Sequence, residues 1–451
     1  MNFFNTIFKK DTPFNSKTTV ASVFNLDIPS SDSMSAAISL WTDMYQNSSP
    51  WLSENTRSLN LAAGIASEFA RLSTIDMVSE IKGSSRADYL NGIYQHFLCG
   101  KRQYVELAAA LGGIIFKPTM SNGSVSVDFV HPSNFIPVSF DGSGRLISAV
   151  FIDRVTSEEG YFTRLEYHHI EPCGYFIHNR AFKSSAFSDL GKEISLCDVP
   201  VWQEIEPSIQ IEGLSTPLFA YFKMPYSNTV DPYSPLGISV FATACDLIRD
   251  ADEQYSRMLW EFESGERALY LDRSAFVRDK NGNPIVPDKR LYRTVSADEN
   301  LFHDWSPTIR DESILRGLNG ILKKIEFCCG MSYGTLSDET LKDRTAEEIR
   351  ASKQRSYATV CDIQIAFRNA LSDLIECLNK FVTLYNLAPE GEYSVSFNFD
   401  DSIIADRKTE FEEKLQLLNA GILLPHEFRM WYFGEDENTA KSTLNSMEES
   451  I

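Results

Sequence analysis

Phe219-Ala-Tyr-Phe-Lys-Met-Pro-Tyr-Ser-Asn-Thr-Val-Asp-Pro-Tyr-Ser-Pro-Leu-Gly237 decides how this chain is divided. Its first residues end an extended region, its middle is a Pro-rich loop, and its last residues announce a helix. Ser234 is a capping residue and Pro235 is tolerated at a first helical position, so a helix is expected over 237–264. Phe241, Leu247 or Ile248, Tyr255, Leu259 and Phe262 then fall near one face, and Gly265 stops the run.

Upstream of that stretch the pattern is β. Val125, Val127 and Phe129 alternate with polar residues, and Asp141-Gly-Ser-Gly144 reads as a turn between strands. Segments 145–155 and 161–169 look like paired strands joined at Glu158-Glu159-Gly160, with a further hairpin over 174–180. Before them lie helices. Leu61, Ile65, Phe69 and Leu72 form an amphipathic stripe, and two more helices are expected over 85–99 and up to residue 111, where Gly112-Gly113 ends the last. Residues 1–35 are rich in Ser, Thr and Asn and read as an arm, its first eight residues suiting either a short amphipathic hook or an arm that docks on a neighbour.

Downstream, 265–310 reads as a β-rich insert with a turn at 279–284, and 311–330 as a helix ending at Gly330. A polar loop at 331–344 precedes the longest helical pattern of the chain, 345–385. A strand at 393–398 and two helices within 406–449 complete an α+β chain of 451 residues, enough for two or three structural units.

Charge excludes one class of function early. The formal net charge is −20, whereas a protein that grips nucleic acid carries a basic balance to neutralise phosphates. This chain either never meets DNA or touches DNA without holding it. The eight cysteines show neither CxxC pairs nor zinc-like spacing, and are expected as reduced thiols, most of them small core residues. The start of the chain lacks the pattern of a signal peptide, and no stretch approaches the length of a membrane span.

Catalytic signatures are missing as well. There is no GxxxxGK[ST], no HExxH and no GxSxG, and acidic pairs such as Glu158-Glu159 or Glu347-Glu348 suit a solvated face. His168-His169 lies on an expected strand, where neighbours point to opposite faces, so one is expected buried or paired and the other solvated. Neither an enzyme nor a metal or cofactor site is expected.

Several stretches, in order along nearly the whole chain, resemble one family. They are Ile38-Ser-Leu-Trp-Thr-Asp-Met-Tyr45 with Ser49-Pro-Trp51 and Ser58-Leu-Asn-Leu-Ala62, then Ala220-Tyr-Phe-Lys-Met-Pro225 with Asn228 and Ser234-Pro-Leu-Gly-Ile-Ser239. Asp246, Asp252, Tyr255-Ser256 and Trp260-Glu-Phe-Glu263 follow. Gly330-Met-Ser-Tyr-Gly-Thr335 and Arg344-Thr-Ala-Glu-Glu-Ile349 come last, departing conservatively at Met331, Arg344 and Glu347 from a pattern GLSxGTxS, then KTATEV. The set resembles the portal proteins of long-tailed phages and prophages of Gram-positive bacteria.

That resemblance implies a portal fold assembling as a dodecameric ring around a DNA channel at one capsid vertex. On that plan 1–35 is an N-terminal arm, 36–236 the wing, 237–264 and 311–330 the stem helices, and 265–310 the clip. Residues 331–344 form a tunnel-proximal loop, 345–400 a long wing helix and strand, and 401–451 a short crown. The implied partners are further copies of the chain, the terminase large subunit, a head–tail adaptor, major capsid and scaffold proteins, and double-stranded DNA passing non-specifically. The implied location is the virion, and the host cytoplasm during assembly.

Two basic concentrations stand out against the acidic background. Arg267, Arg273, Arg278, Lys280, Lys289, Arg290 and Arg293 in the insert suit either docking of a packaging motor or adaptor, or salt bridges between subunits. Lys342, Arg344, Arg350 and Lys353 suit either contact with DNA in a tunnel or ordinary solvated charge. Pro235 and Gly237 are expected to set backbone geometry, and Tyr255, Trp260 and Phe262 to pack between helices. The competing reading is a virion adaptor or minor structural protein without a channel.

Overall fold

The structure, a computed structural model, describes residues 16–28, 31–121, 123–266, 308–338, 346–399, 407–433 and 440–444. In the insert it describes three strands and the single positions Val277, Lys280 and Ile285. Two compact units result. Among the described residues, one runs to residue 74 and again over 79–396, and the other comprises 75–78 and the residues after 396.

The first unit opens with helix α1 (Ser16–Phe24) and α2 (Asp32–Tyr45), the latter capped by Ser31, whose Oγ accepts the Met34 amide at 3.3 Å. Then come α3 (Leu61–Thr74), β1 (Met77–Gly83), α4 (Ser85–Leu98) and α5 (Lys101–Leu111). β2 (Gly113–Ser121) and β3 (Ser124–Val130) form an antiparallel hairpin, and β10 (Ala220–Lys223) joins β2 to complete a three-stranded sheet. Between them β4 (Phe135–Phe140), β5 (Leu146–Ser157), β6 (Gly160–Glu171), β7 (Gly174–Ser184) and β8 (Lys192–Ile194) lie side by side, and β9 (Ser208–Glu212) also pairs with β7. Every pairing in this larger sheet is antiparallel, as the alternation and turn residues predict.

Helix α6 (Cys245–Ser264), strands β11 (Ala268–Asp272), β12 (Tyr292–Val295) and β13 (Phe302–Trp305), and helix α7 (Asp311–Cys329) follow. The three strands make one sheet in which β11 is central, parallel to β12 and antiparallel to β13. The 39-residue helix α8 (Ala346–Leu384) then runs through the core. Val360, Ile363, Phe367, Leu371, Leu374 and Leu378 recur at intervals of three and four and are all 0% exposed, which puts one continuous apolar face inside. The Phe367 ring centroid lies 5.0 Å from Phe222 of β10 and 6.4 Å from Phe116 of β2, so the helix seats on the small sheet. Arg86 closes the far end of α8. Its buried guanidinium donates to the carbonyls of Asn379 and Ala388, to Asn379 Oδ1 and to Thr383 Oγ1, which ties the last turns of the helix to the segment that follows it.

Strand β14 (Tyr393–Phe399) pairs with β1, a strand absent from the sequence expectation. The second unit continues into α9 (Arg407–Asn419) and α10 (Pro425–Phe433), held by aromatic contacts of Phe411 with Phe428 and Tyr432.

Three expectations need correction. The helix expected over 237–264 begins only at Cys245, after a 3-10 turn at Ala242–Ala244. The segment before it is used instead as extended backbone: the Val240 amide and Ser239 Oγ both donate to Ala109 O, an open carbonyl at the end of α5. Second, residues 16–28 are not a loose part of an arm. Val20 and Ile28 are buried in one cluster with Ile136, Val150, Leu165 and Phe182, so α1 covers a face of the large sheet in its own chain. Third, the cysteines are not mainly core residues. Only Cys329 and Cys377 are buried, while Cys99, Cys173, Cys197 and Cys328 are exposed, mostly at helix ends and turns.

Candidate functional site

Helices α6 and α7 form an antiparallel pair, tied at both ends. At one end Arg310 grips Glu261, its Nη2 donating to Oε2 at 2.7 Å and its Nε to Oε1 at 3.0 Å. Those bonds lower the Glu261 carboxyl and raise the Arg310 guanidinium, each stabilising the other's charge. At the other end Thr243 Oγ1 donates to Cys328 O at 3.3 Å. The three-stranded insert is therefore carried on the tips of two helices whose ends are held together.

The base of α6 is fixed by a buried acid. Asp252 is 1% exposed and accepts from Trp51 Nε1 at 2.9 Å and from the Leu59 amide at 2.7 Å. Burial raises its pKa, against the pull of those two hydrogen bonds. One turn on, Ser256 Oγ accepts the Arg57 amide at 2.8 Å. Segment 51–59 is thus stitched to α6, which explains why Trp51, Leu59, Asp252 and Ser256 stand out together in the sequence.

The approach to α6 depends on two glycines. Gly112 ends α5 with φ 90°, and a Cβ there would lie 2.5 Å from the Gly237 carbonyl oxygen. A Cβ on Gly237 would in turn collide with the Gly112 carbonyl. The backbones cross where neither can carry a side chain. The Gly237 amide donates to Tyr221 Oη at 3.2 Å, and Met224 N to Gly112 O at 3.0 Å. Gly237 thus lies at a close backbone crossing, and Pro235 is half-buried beside it in the extended segment.

Beyond α7 the chain turns at Gly330, whose φ of 73° suits a residue without Cβ, into a tight turn over 331–338. Thr359 Oγ1 of α8 donates to Gly330 O at 3.3 Å, and the Arg355 guanidinium lies over the rings of Phe327 (4.7 Å) and Tyr333 (5.6 Å). The end of α7, the turn and α8 thus meet at one place.

The residues singled out from the sequence distribute unevenly. Tyr255 is half-buried on α6, whereas Trp260 is 63% and Phe262 43% exposed, so neither packs fully within one chain. Leu315 and Phe327 of α7 are also exposed, at 48% and 57%. Arg350 and Lys353 lie in the first turns of α8, near its start at Ala346. Lys342 and Arg344 lie outside the described residues, as do Arg267, Arg273, Arg278, Lys289 and Arg290. Lys280 is exposed and Arg293 sits on β12. The tie between Glu261 and Arg310 was not legible in the sequence, because it depends on a partner that only the folded chain brings near.

Of the two histidines one is buried as expected, but the other is not solvated: the His169 ring stacks on Tyr167, Phe176 and His178. His168 is buried, and its ring bonds Glu166 and Tyr175, while His169 is half-buried beside Glu171. No group of three potential metal ligands occurs among the described residues, and no described helix is long and apolar enough to cross a membrane.

A family model described as phage portal protein, SPP1 Gp6-like, matches residues 96–441. The chain belongs to the phage portal proteins. No curated protein matches it significantly. Portal proteins are structural rather than enzymatic, which agrees with a chain whose charged groups tie elements together. The match spans the three-stranded and six-stranded sheets, the α6–α7 pair with its insert, and α8, while Trp51, Arg57 and Leu59, which bond α6, lie before it. As a portal protein the chain is a component of the phage capsid.

Proposed function

We propose that twelve copies of this portal protein form a ring at one capsid vertex, through which DNA is packaged, retained and ejected. In this reading α6 and α7 form the stem, the three-stranded insert the clip, and the sheets with α8 the wing. The helices α9 and α10 form a short crown. The carrying observation is the apolar surface on the α6–α7 pair. Trp260, Phe262, Leu315 and Phe327 are exposed, although the same chain buries Trp41 and Trp202 almost completely. Side chains of that size left in water at a helix pair are what an adjacent copy would cover.

Charge supports the channel. A net charge of −20 disfavours tight binding of a polyanion, which suits DNA that must slide in both directions. Lys342, Arg344, Arg350 and Lys353 are the candidates for brief contact with passing phosphates. Arg267, Arg273, Arg278, Lys280, Lys289, Arg290 and Arg293 are the candidates on the clip for docking the terminase large subunit and later the head–tail adaptor. Major capsid and scaffold proteins would meet the wing, with assembly in the host cytoplasm.

The test is genetic and direct. Particles made without this chain are expected to contain no DNA, and supplying it in trans should restore filled heads. DNA-filled heads formed without it would contradict the proposal and favour a non-channel adaptor.

A further inference from the structure

Glu326 is fully buried near the end of α7, and no cation pairs with it among the described residues. A buried carboxylate is costly unless its acceptor sites are filled. Here they are filled by the turn that follows the helix. Oε1 accepts the amides of Leu336 and Ser337 at 2.6 and 2.9 Å, and Oε2 accepts Ser337 Oγ–H at 2.8 Å. Ser337 Oγ in turn accepts the Gly334 amide at 3.3 Å, and the Glu326 carbonyl accepts the Met331 amide at 2.9 Å.

A second tie lies further back along α7. Asp338 N donates to Asn319 Oδ1 at 2.7 Å, and Asn319 Nδ2 donates to Asp338 O at 2.8 Å. The chain therefore leaves α7 at Gly330 and folds back beside its own helix. From residue 330 to residue 319 that helix spans roughly 16 Å.

We infer that Glu326 is a positioning residue, a clamp that makes residues 331–338 one body with α7. Through Gly330, Thr359 and Arg355 that body also includes the neighbouring turns of α8. The donors to the carboxylate come from one turn, so what the acid stabilises is that turn's place on the helix. The chain then leaves the turn at Asp338 from a point fixed to α7. The clamp goes beyond the portal assignment and does not require a ring.

The test is hydrogen exchange on the full chain, in whatever assembly state it purifies. Glu326→Leu keeps a side chain of similar size but removes both acceptors. Exchange at Leu336 and Ser337 should rise by about tenfold, with strands β5–β7 unchanged. Glu326→Gln keeps one oxygen in place for both amides and should retain most of the protection. Ser337→Ala, which removes one donor from the clamp, should show a smaller local rise even if Glu326→Leu folds poorly. Exchange at these amides that is unchanged in Glu326→Leu and in Ser337→Ala overturns the clamp, whether or not rings form. A local rise in a chain that forms no rings supports the clamp and counts against the channel alone.

Discussion

Among single residues, two kinds of buried charge do different work. Glu166 is held by Lys117 at 2.6 Å, Arg164 at 3.2 Å and His168 at 2.7 Å. Burial would raise its pKa, but Lys117, His168 and Arg164 hold it well below the usual carboxylate range. An ionised Glu166 only accepts, so His168 donates to it from Nε2, and a neutral ring then accepts the Tyr175 hydroxyl at Nδ1. Tyr175 Oη accepts the Leu218 amide in turn. That chain of bonds requires a neutral His168, and burial lowers its pKa accordingly. Burial also takes His131 from 6.5 to about 4, with its Nδ1 accepting the Ser133 amide at 3.1 Å. A histidine lowered in the fold contributes stability that is present above its unfolded pKa and lost as pH falls from there towards the folded value. Melting temperature should therefore fall as pH drops from 6.5 to 4, and further below 4.5, where Glu166 of the unfolded chain takes up a proton that the folded carboxylate does not. The His131 share is about 3 kcal/mol at most. His131→Gln should flatten that slope, and an unchanged profile would count against a neutral, buried imidazole. Asp252 makes a second case. Asp252→Ala leaves Trp51 Nε1 and the Leu59 amide without an acceptor, which should cost about 2–4 kcal/mol by thermal or denaturant melting, with Asp252→Asn milder.

At the level of elements, the sequence was most legible where one face repeats. The stripes of α3 and α8, the double glycine after α5 and the turn at Glu158-Glu159-Gly160 each carry a local signal, and each element forms where that signal lies. Elements fixed by distant partners were not legible. β1 exists by pairing with β14, more than 300 residues away in the chain, as in the 2.8 Å bond from Ser79 Oγ to Ser396 O. Ser234-Pro235 has the local form of a helix start, yet tertiary hydrogen bonds to Ala109 hold the next residues extended. Helix α1 is nine residues long and gains its place from the sheet beneath it, so its short Ser/Thr-rich sequence looks like an arm. The candidate site was legible in part. Gly237 and Asp252 were visible as motif residues, whereas the partners that explain them lie far along the chain. Trp260 belongs to this level too. Trp260→Ser removes an exposed ring and should change the stability of one chain by less than about 1 kcal/mol. In sedimentation it should nevertheless weaken self-association, and equal association of variant and parent would show that the exposed face is not an interface.

For the whole molecule, the account turns on assembly. The chain buries a full core around α8, ties its helix pair at both ends, and still leaves large apolar side chains exposed on that pair. Its acidity discourages a tight grip on DNA, and its family is that of phage portals. These features fit a subunit completed by its neighbours better than a protein that works alone. The most direct measurement is the mass and symmetry of the purified chain, by light scattering and then by negative-stain imaging. The account predicts rings with a central hole and roughly twelvefold symmetry, the number that the portal resemblance implies. A stable monomer, unchanged at high concentration and in the presence of scaffold or adaptor proteins, would contradict it.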